Sequence, residues 1–288
     1  MGQAAGLAGV GTANQAQRER WAREGAFWVR EAERFDALNV EFGLAMLEAA
    51  GLRPGERVLD VGCGAGQTTL QAGERVAPAG TAVGADISAP LLAYARKQAR
   101  VAGVDNVRFL EADAQTHAFE PGAFDAVVSR FGTMFFEDPV AAFANLGRAV
   151  GSGGRLAIVC WQDVLESEWT AVIGGAAAAH VGFPDFGHPG APGPYAFADR
   201  DRLERSVTSA GFGDVGIEGI TKPMRLGDNV DDVVRFFTSM DLVRDWFAGK
   251  PETSIARALD AVRKATAPYA GPHGVVMSGT AWLLTARR

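Results

Sequence analysis

Three glycines stand at alternate positions in Val58-Leu59-Asp60-Val61-Gly62-Cys63-Gly64-Ala65-Gly66-Gln67-Thr68, between an apolar run and a stretch with helical character. Lacking a Cβ, Gly62, Gly64 and Gly66 permit positive φ and let a ligand approach the backbone. Gln67 and Thr68 open the following helix, whose free N–H groups and positive dipole end suit a carboxylate or a phosphate. The dinucleotide fingerprint G-x-G-x-x-G puts its third glycine where Gln67 stands. Asp60, two residues before Gly62, disfavours a pyrophosphate and suits the ammonium of an amino acid. Asp86 lies 20 residues beyond Gly66, after a second apolar run. A carboxylate there can accept both hydroxyls of a ribose. Asp113 follows a third apolar run and can accept from an exocyclic adenine amine.

These groups need a scaffold that brings several strand ends to one edge. Strands are expected at 57–61, 82–87, 107–110, 126–129 and 155–161, with helices over 67–76, 91–102 and 138–150. Ser88 is expected to cap the second of these helices, with Pro90 in its first turn. Short, nearly continuous apolar strands separated by helices imply an α/β fold with a doubly wound, mostly parallel sheet. Ligands of such sheets bind beyond the carboxyl ends of the strands. After Trp161 the rhythm breaks. A helix near 168–180 leads into a segment rich in proline and glycine. A helix at 199–210 follows, then a strand over 215–226 bent at Pro223, helices over 228–250 and 252–267, and a last strand over 275–286.

The pattern V-L-D-x-G-x-G-x-G, an acid ending strand two and an Asp after strand three resembles class I S-adenosylmethionine-dependent methyltransferases. It is most similar to the small-molecule branch related to the ubiquinone/menaquinone C-methyltransferases. Phe124-Asp125-Ala126-Val127-Val128 and Val150-Gly151-Ser152-Gly153-Gly154-Arg155-Leu156 are written as that branch writes its fourth strand and the turn into its fifth. The resemblance covers residues 53–161 well and the remainder loosely. It implies a seven-stranded, Rossmann-like sheet with helical lid insertions and S-adenosyl-L-methionine as cofactor. It also implies that Gly62, Gly64 and Gly66 pack on the methionine moiety and that Asp86 binds the ribose. Ile87 would lie on the adenine face, with Asp113 and Ala114 at its edge. Arg130 and Phe131 would stand near the sulfonium and the acceptor. Trp28, in an aromatic-rich segment upstream, is the candidate for a cation–π contact with the cofactor; its alternative is plain helix packing.

Methyl transfer is an in-line displacement with a good leaving group, so alignment and a dry site supply most of the catalysis. A base is needed only if the acceptor must lose a proton. Of the four histidines, His180 and His188 fall in the segment expected to cover the acceptor and are the candidate bases, but a surface or packing role is the stronger reading of each and no base is assigned. Phe131, Met134, Phe135 and Phe136 suit an aromatic or apolar acceptor. No D/N-P-P-Y-like sequence follows strand four, which argues against methylation of DNA bases. No Cys/His/Asp cluster has metal-ligand spacing. A non-catalytic module binding S-adenosylmethionine or S-adenosylhomocysteine, and an NAD-dependent oxidoreductase, are the competing readings.

The net charge of −6 disfavours a nucleic-acid partner. Two cysteines are too few for a disulfide framework and fit a reducing, cytoplasmic setting. The longest bland run, 171–183, is too short and too weakly apolar for a membrane span. The expected organisation is a disordered leader (1–17), an N-terminal helical cap (18–52) and the cofactor-binding core (53–161). An acceptor-site insertion (162–198) follows, then the rest of the sheet (199–288) with a helical insertion over 228–270. The expected partner is a small molecule, bound by a monomer or a homodimer.

Overall fold

The computed structural model describes residues 14–184 and 190–288. The chain begins with α1 (Gln15–Arg30) and α2 (Ala32–Ala50), separated by a break at Glu31. It then alternates through β1 (Arg57–Val61), α3 (Gln67–Val76), β2 (Thr81–Asp86), α4 (Ala89–Ala102), β3 (Val107–Glu111), β4 (Ala126–Arg130), α5 (Pro139–Val150) and β5 (Arg155–Trp161). The remainder is α6 (Glu168–Val181), α7 (Arg200–Ser209), β6 (Gly213–Gly227), α8 (Val230–Ser239), α9 (Asp241–Phe247), α10 (Glu252–Thr266), the two-residue β7 (Ala270–Gly271) and β8 (Gly274–Arg287).

The sheet runs in the order β3-β2-β1-β4-β5-β8-β6, with β7 attached to β8. The first five strands of this order are parallel to their neighbours, and β8 is antiparallel to both β5 and β6. The chain winds outward from β1 to β3, then returns to place β4 on the other side of β1. The switch point therefore lies between β1 and β4, and such sheets open a ligand crevice there. Both strands are buried on both faces, as a doubly covered parallel sheet requires. Alternate residues feed two cores. Ala157 and Val159 of β5 join the α2, α6, α8 and α10 side, while Leu156, Ile158 and Cys160 join the α5 and α7 side.

The structure departs from the sequence expectations in four places. The first helix starts at Gln15 with Asn14 buried, so residues 14–17 belong to it rather than to a leader; residues 1–13 lie outside the described part. Ser88 makes no side-chain cap; its own N–H instead donates to Asp86. Strand β6 passes through Pro223 in register, with irregularities between Gly213 and Gly216 and between Arg225 and Gly227. Proline is tolerated because β6 is an edge strand, where one row of N–H groups has no ladder partner. Finally, 228–250 is two helices, because Met240 adopts an extended backbone between α8 and α9. The segments expected as two separate lids also meet, since α6 packs along α10.

Helix α5 shows the local logic at its start. Asp138 has an extended backbone, its carboxylate accepts from the Ala141 N–H at 3.0 Å, and Pro139 supplies a preset φ. Asp138→Ala is expected to lower stability by about 1 kcal/mol in urea unfolding, with the slope of the transition unchanged.

Candidate active site

The carboxyl ends of β1, β2 and β4 open on a cavity of about 350 Å³ roofed by α1, α2, α6 and α8. Its floor is the glycine turn. Gly62 has φ +66°, and a Cβ there would stand 2.7 Å from Cα of Gly132. Gly132 in turn follows β4, and its own Cβ would meet the Val61 carbonyl at 2.5 Å. Two backbones thus touch at the switch point, which only paired glycines allow. Gly64 differs: its φ is +52° and nothing lies within 4 Å of its Cβ position, so it faces open space on the cavity wall. Gly66 caps α3, and a Cβ there would strike Ala95 and Phe109; its role is close packing, away from the wall.

Two carboxylates hold this turn. Asp86 ends β2 and lines the cavity, accepting from the Gly64 N–H at 2.8 Å with one oxygen and from the Ser88 N–H at 2.8 Å with the other. Burial pushes its carboxyl above the ordinary range, while these backbone donors pull the other way. Asp60 is fully buried and is not part of the wall, which corrects the expectation of direct contact with a ligand ammonium. Its Oδ2 accepts from the hydroxyls of Thr68 at 2.6 Å and Thr69 at 2.7 Å, tying the end of β1 to the first turn of α3. Burial raises its pKa against those two hydrogen bonds.

Asp113 lines the cavity, but its carboxylate is already engaged. Asn14 Nδ2 donates to both its oxygens at 3.0 Å, Arg18 to one at 3.2 Å, and the Gln115 N–H to the other at 2.9 Å. Asn14 also exchanges hydrogen bonds with Glu137, so the start of α1 is clasped over this end of the cavity. Neighbouring Gln17 points a buried Oε1 that has no partner among the described residues.

Arg130, at the end of β4, is held by Asp36 of α2 at 2.6 Å and by Gln67, and it lines the cavity. Gln67 itself does not. Asp36 is raised by burial, with Arg130 opposing that shift. Phe131 adopts a left-handed backbone, φ 63°, and its ring stacks on Trp161 at 3.9 Å. A non-glycine residue in that region is strained and is held by its surroundings. Trp28 lines the cavity, stacked on Phe35 at 4.0 Å, with its indole N–H on Glu24. Thr68, Ile87 and Ala114 also reach the wall.

His180 does not take part: it is exposed at the far end of α6. It lies 11 residues beyond Trp169, roughly 16 Å further along the axis. His188 lies outside the described residues. Sequence reading missed Asp36, Asn39, Trp169, Tyr195, Phe236 and Phe237, which also line the cavity. Nothing local marks them, because helices far apart in sequence bring them together. Cys63 and Cys160 are buried free thiols, the latter pushed up to about 12 by burial, so neither is a ready nucleophile.

Residues 58–154 match the methyltransferase domain family. The chain is 30% identical over 261 residues to the nocamycin O-methyltransferase of Saccharothrix syringae, covering 82% of this chain and 89% of that one. The chain belongs to the S-adenosylmethionine-dependent methyltransferases. It is also 40% identical over 136 residues to the demethylmenaquinone methyltransferase of Thermus thermophilus, covering 44% of this chain and 61% of that one. The fold is shared with the YcgJ protein of Bacillus subtilis, at a TM-score of 0.55 and 17% identity over 85% of this chain and 97% of that one. Family membership makes the protein an enzyme with S-adenosylmethionine as its cofactor and removes the dinucleotide reading. The residues present fit that cofactor: an open glycine wall at Gly64, a carboxylate at the end of β2, and an unpartnered buried acceptor at Gln17.

Two outcomes test this construction. Gly62→Ala is expected to cost roughly 2–4 kcal/mol, from overpacking plus the left-handed backbone. Gly51→Ala, with φ +56° and open space around it, should cost only about 1 kcal/mol in the same unfolding assay. Asp60→Asn addresses charge. Because the folded pKa of Asp60 is raised, the unfolded chain ionises first. The contribution of Asp60 to stability should therefore fall as pH rises from the ordinary carboxylate value of 3.8 through the raised one, then level. The amide keeps an acceptor for Thr68 and Thr69, so the variant should lack that contribution while those of the raised Asp36 and Asp86 remain. Parallel pH profiles of the two proteins would refute the assignment.

Proposed function

We propose that this enzyme transfers the methyl group of S-adenosylmethionine to a small, planar, largely apolar metabolite held between α2, α6, α8 and the end of β5. The observation that carries this reading is the aromatic wall of the cavity beyond Arg130. There Phe131 stacks on Trp161, and Trp169, Phe236 and Phe237 stand on the same cavity. Aromatic walls suit flat apolar bodies. The names of two relatives, a nocamycin O-methyltransferase and a demethylmenaquinone methyltransferase, support a small-molecule acceptor.

In this reading Gly62 and Gly64 carry the methionine moiety, and Asp86 takes the ribose hydroxyls with its remaining lone pairs. Ile87 and Ala114 bracket the adenine. Asp113 acts through the clasp it forms with Asn14 and Arg18. Arg130, oriented by Asp36 and Gln67, presents a cation where the cofactor half meets the acceptor half. When bound, the cofactor supplies a methyl group on a sulfonium leaving group. The chain supplies orientation and exclusion of water through the α1 and α6 cover. The acceptor reading takes the partner as a small molecule rather than a nucleic acid, acted on by a monomer or homodimer in the cytoplasm. No described helix is long and apolar enough to cross a membrane.

Calorimetric titration with S-adenosylmethionine is expected to give a micromolar-range Kd, about −8 kcal/mol. Asp86→Ala should weaken it at least tenfold, since both the ribose acceptor and the anchor of the Gly64 N–H are lost. Wild-type affinity in that variant would refute the role given to Asp86.

A further inference from the structure

The acceptor half of the cavity is apolar in most of its wall, and two of its lining residues each carry a buried polar atom with no partner among the described residues. One is Oδ1 of Asn39 on α2; the other is the indole N–H of Trp169 in the first turn of α6. The orientation of Asn39 is decided by chemistry. Its other terminal atom lies 2.9 Å from the Phe35 carbonyl, which can only accept, so that atom is Nδ2 and the free atom is the oxygen. Among the described tryptophans, Trp169 alone has an indole N–H that is both buried and unpartnered. The indole N–H groups of Trp28, Trp246 and Trp282 donate to Glu24, Gly182 and Ala198, whereas that of Trp169 donates to nothing described. Buried polar groups are nearly always paired, so two orphans on one cavity wall mark places where a ligand completes the pairing.

Their placement is consistent with one bound molecule. Asn39 lies one turn before Phe42, whose ring is 5.2 Å from Trp161 and 5.5 Å from Phe131. Trp161 ends β5, and the chain reaches Trp169 eight residues later at the start of α6. Asn39 and Trp169 therefore line the same cavity as the stacked Phe131–Trp161 pair. Resting on the acceptor reading above, we propose that Asn39 and Trp169 determine acceptor specificity. Asn39 Oδ1 takes a hydroxyl or N–H of the acceptor, and Trp169 Nε1 donates to a carbonyl or ether oxygen. The acceptor class is then an oxygenated aromatic that bears both a hydrogen-bond donor and a hydrogen-bond acceptor on its ring system. A purely hydrocarbon body would leave both protein atoms buried and unpaired, which sites of this kind discriminate against strongly.

Four tricyclic probes of nearly one shape test this on the full chain saturated with S-adenosylhomocysteine: fluorene, 2-hydroxyfluorene, 9-fluorenone and 2-hydroxy-9-fluorenone. Ligand-observed NMR titration should rank the last at least tenfold tighter than fluorene, with the two singly substituted probes between. Asn39→Leu should erase the gain from the hydroxyl and keep the gain from the ketone; Trp169→Phe should do the reverse. Equal affinity for all four probes, no binding of any of them, or gains that survive both substitutions would overturn the proposal. The ranking on the wild-type protein decides the matter even if a variant fails to fold. Intact S-adenosylhomocysteine binding beside an unranked probe series would overturn the specificity assignment alone. Failure to bind S-adenosylhomocysteine would overturn the reading of the site on which it rests.

Discussion

The turn that leaves β1 must fold back under β4 within one residue of backbone, and the rest of the site depends on that approach. Gly62 and Gly132 meet with no room for a side chain on either, so the two central strands end at the same height. Asp60 and Asp86 then fix the turn from opposite sides. Asp60 faces inward and holds the threonines of α3, whereas Asp86 faces the cavity and holds the Gly64 N–H. Both carboxylates are raised by burial, so the turn is kept at an electrostatic cost that hydrogen bonds partly offset. That division of labour explains why one acid of the motif is absent from the wall and the other is part of it.

Everything above the turn is borrowed from distant segments. Helix α2 contributes Asp36 and Asn39, α6 contributes Trp169, and α8 contributes Phe236 and Phe237. Arg130 joins the two halves: it belongs to β4, yet its guanidinium is positioned by Asp36 of the N-terminal region and by Gln67 of the glycine turn. One side chain therefore ties α2, the start of α3 and the end of β4 together on the cavity wall. The clasp of Asn14 on Asp113 and Glu137 ties the start of α1 over the cavity.

The contrast between the two halves of the fold has a simple origin. Residues 53–161 obey local rules: short apolar runs make buried parallel strands, and glycine and aspartate stand where backbone conformation demands them. Helix α5 and strand β5 fall where the pattern puts them for this reason. Beyond Trp161 the rules weaken. Pro223 reads as a bend, but β6 is an edge strand that needs no N–H there. The 228–250 segment reads as one helix, yet Met240 breaks it, and this residue lines the cavity.

By itself the sequence determined the doubly wound sheet, the glycine turn and the placement of Asp86 at the mouth of β2, while the cofactor came with the family resemblance that these residues carry. The first three follow from short-range periodicity or from a backbone conformation open to few residue types. The tertiary structure alone decided that Asp60 serves α3, that Asp113 is clasped by Asn14, that His180 stands three turns beyond the cavity along α6, and which helices wall the cavity. Most of those outcomes depend on contacts between distant segments, such as Asn14 with Asp113, 99 residues apart, and Arg34 with Asp232, 198 apart. Such contacts leave no periodic trace in the chain, because packing geometry selects them only after the sheet has formed.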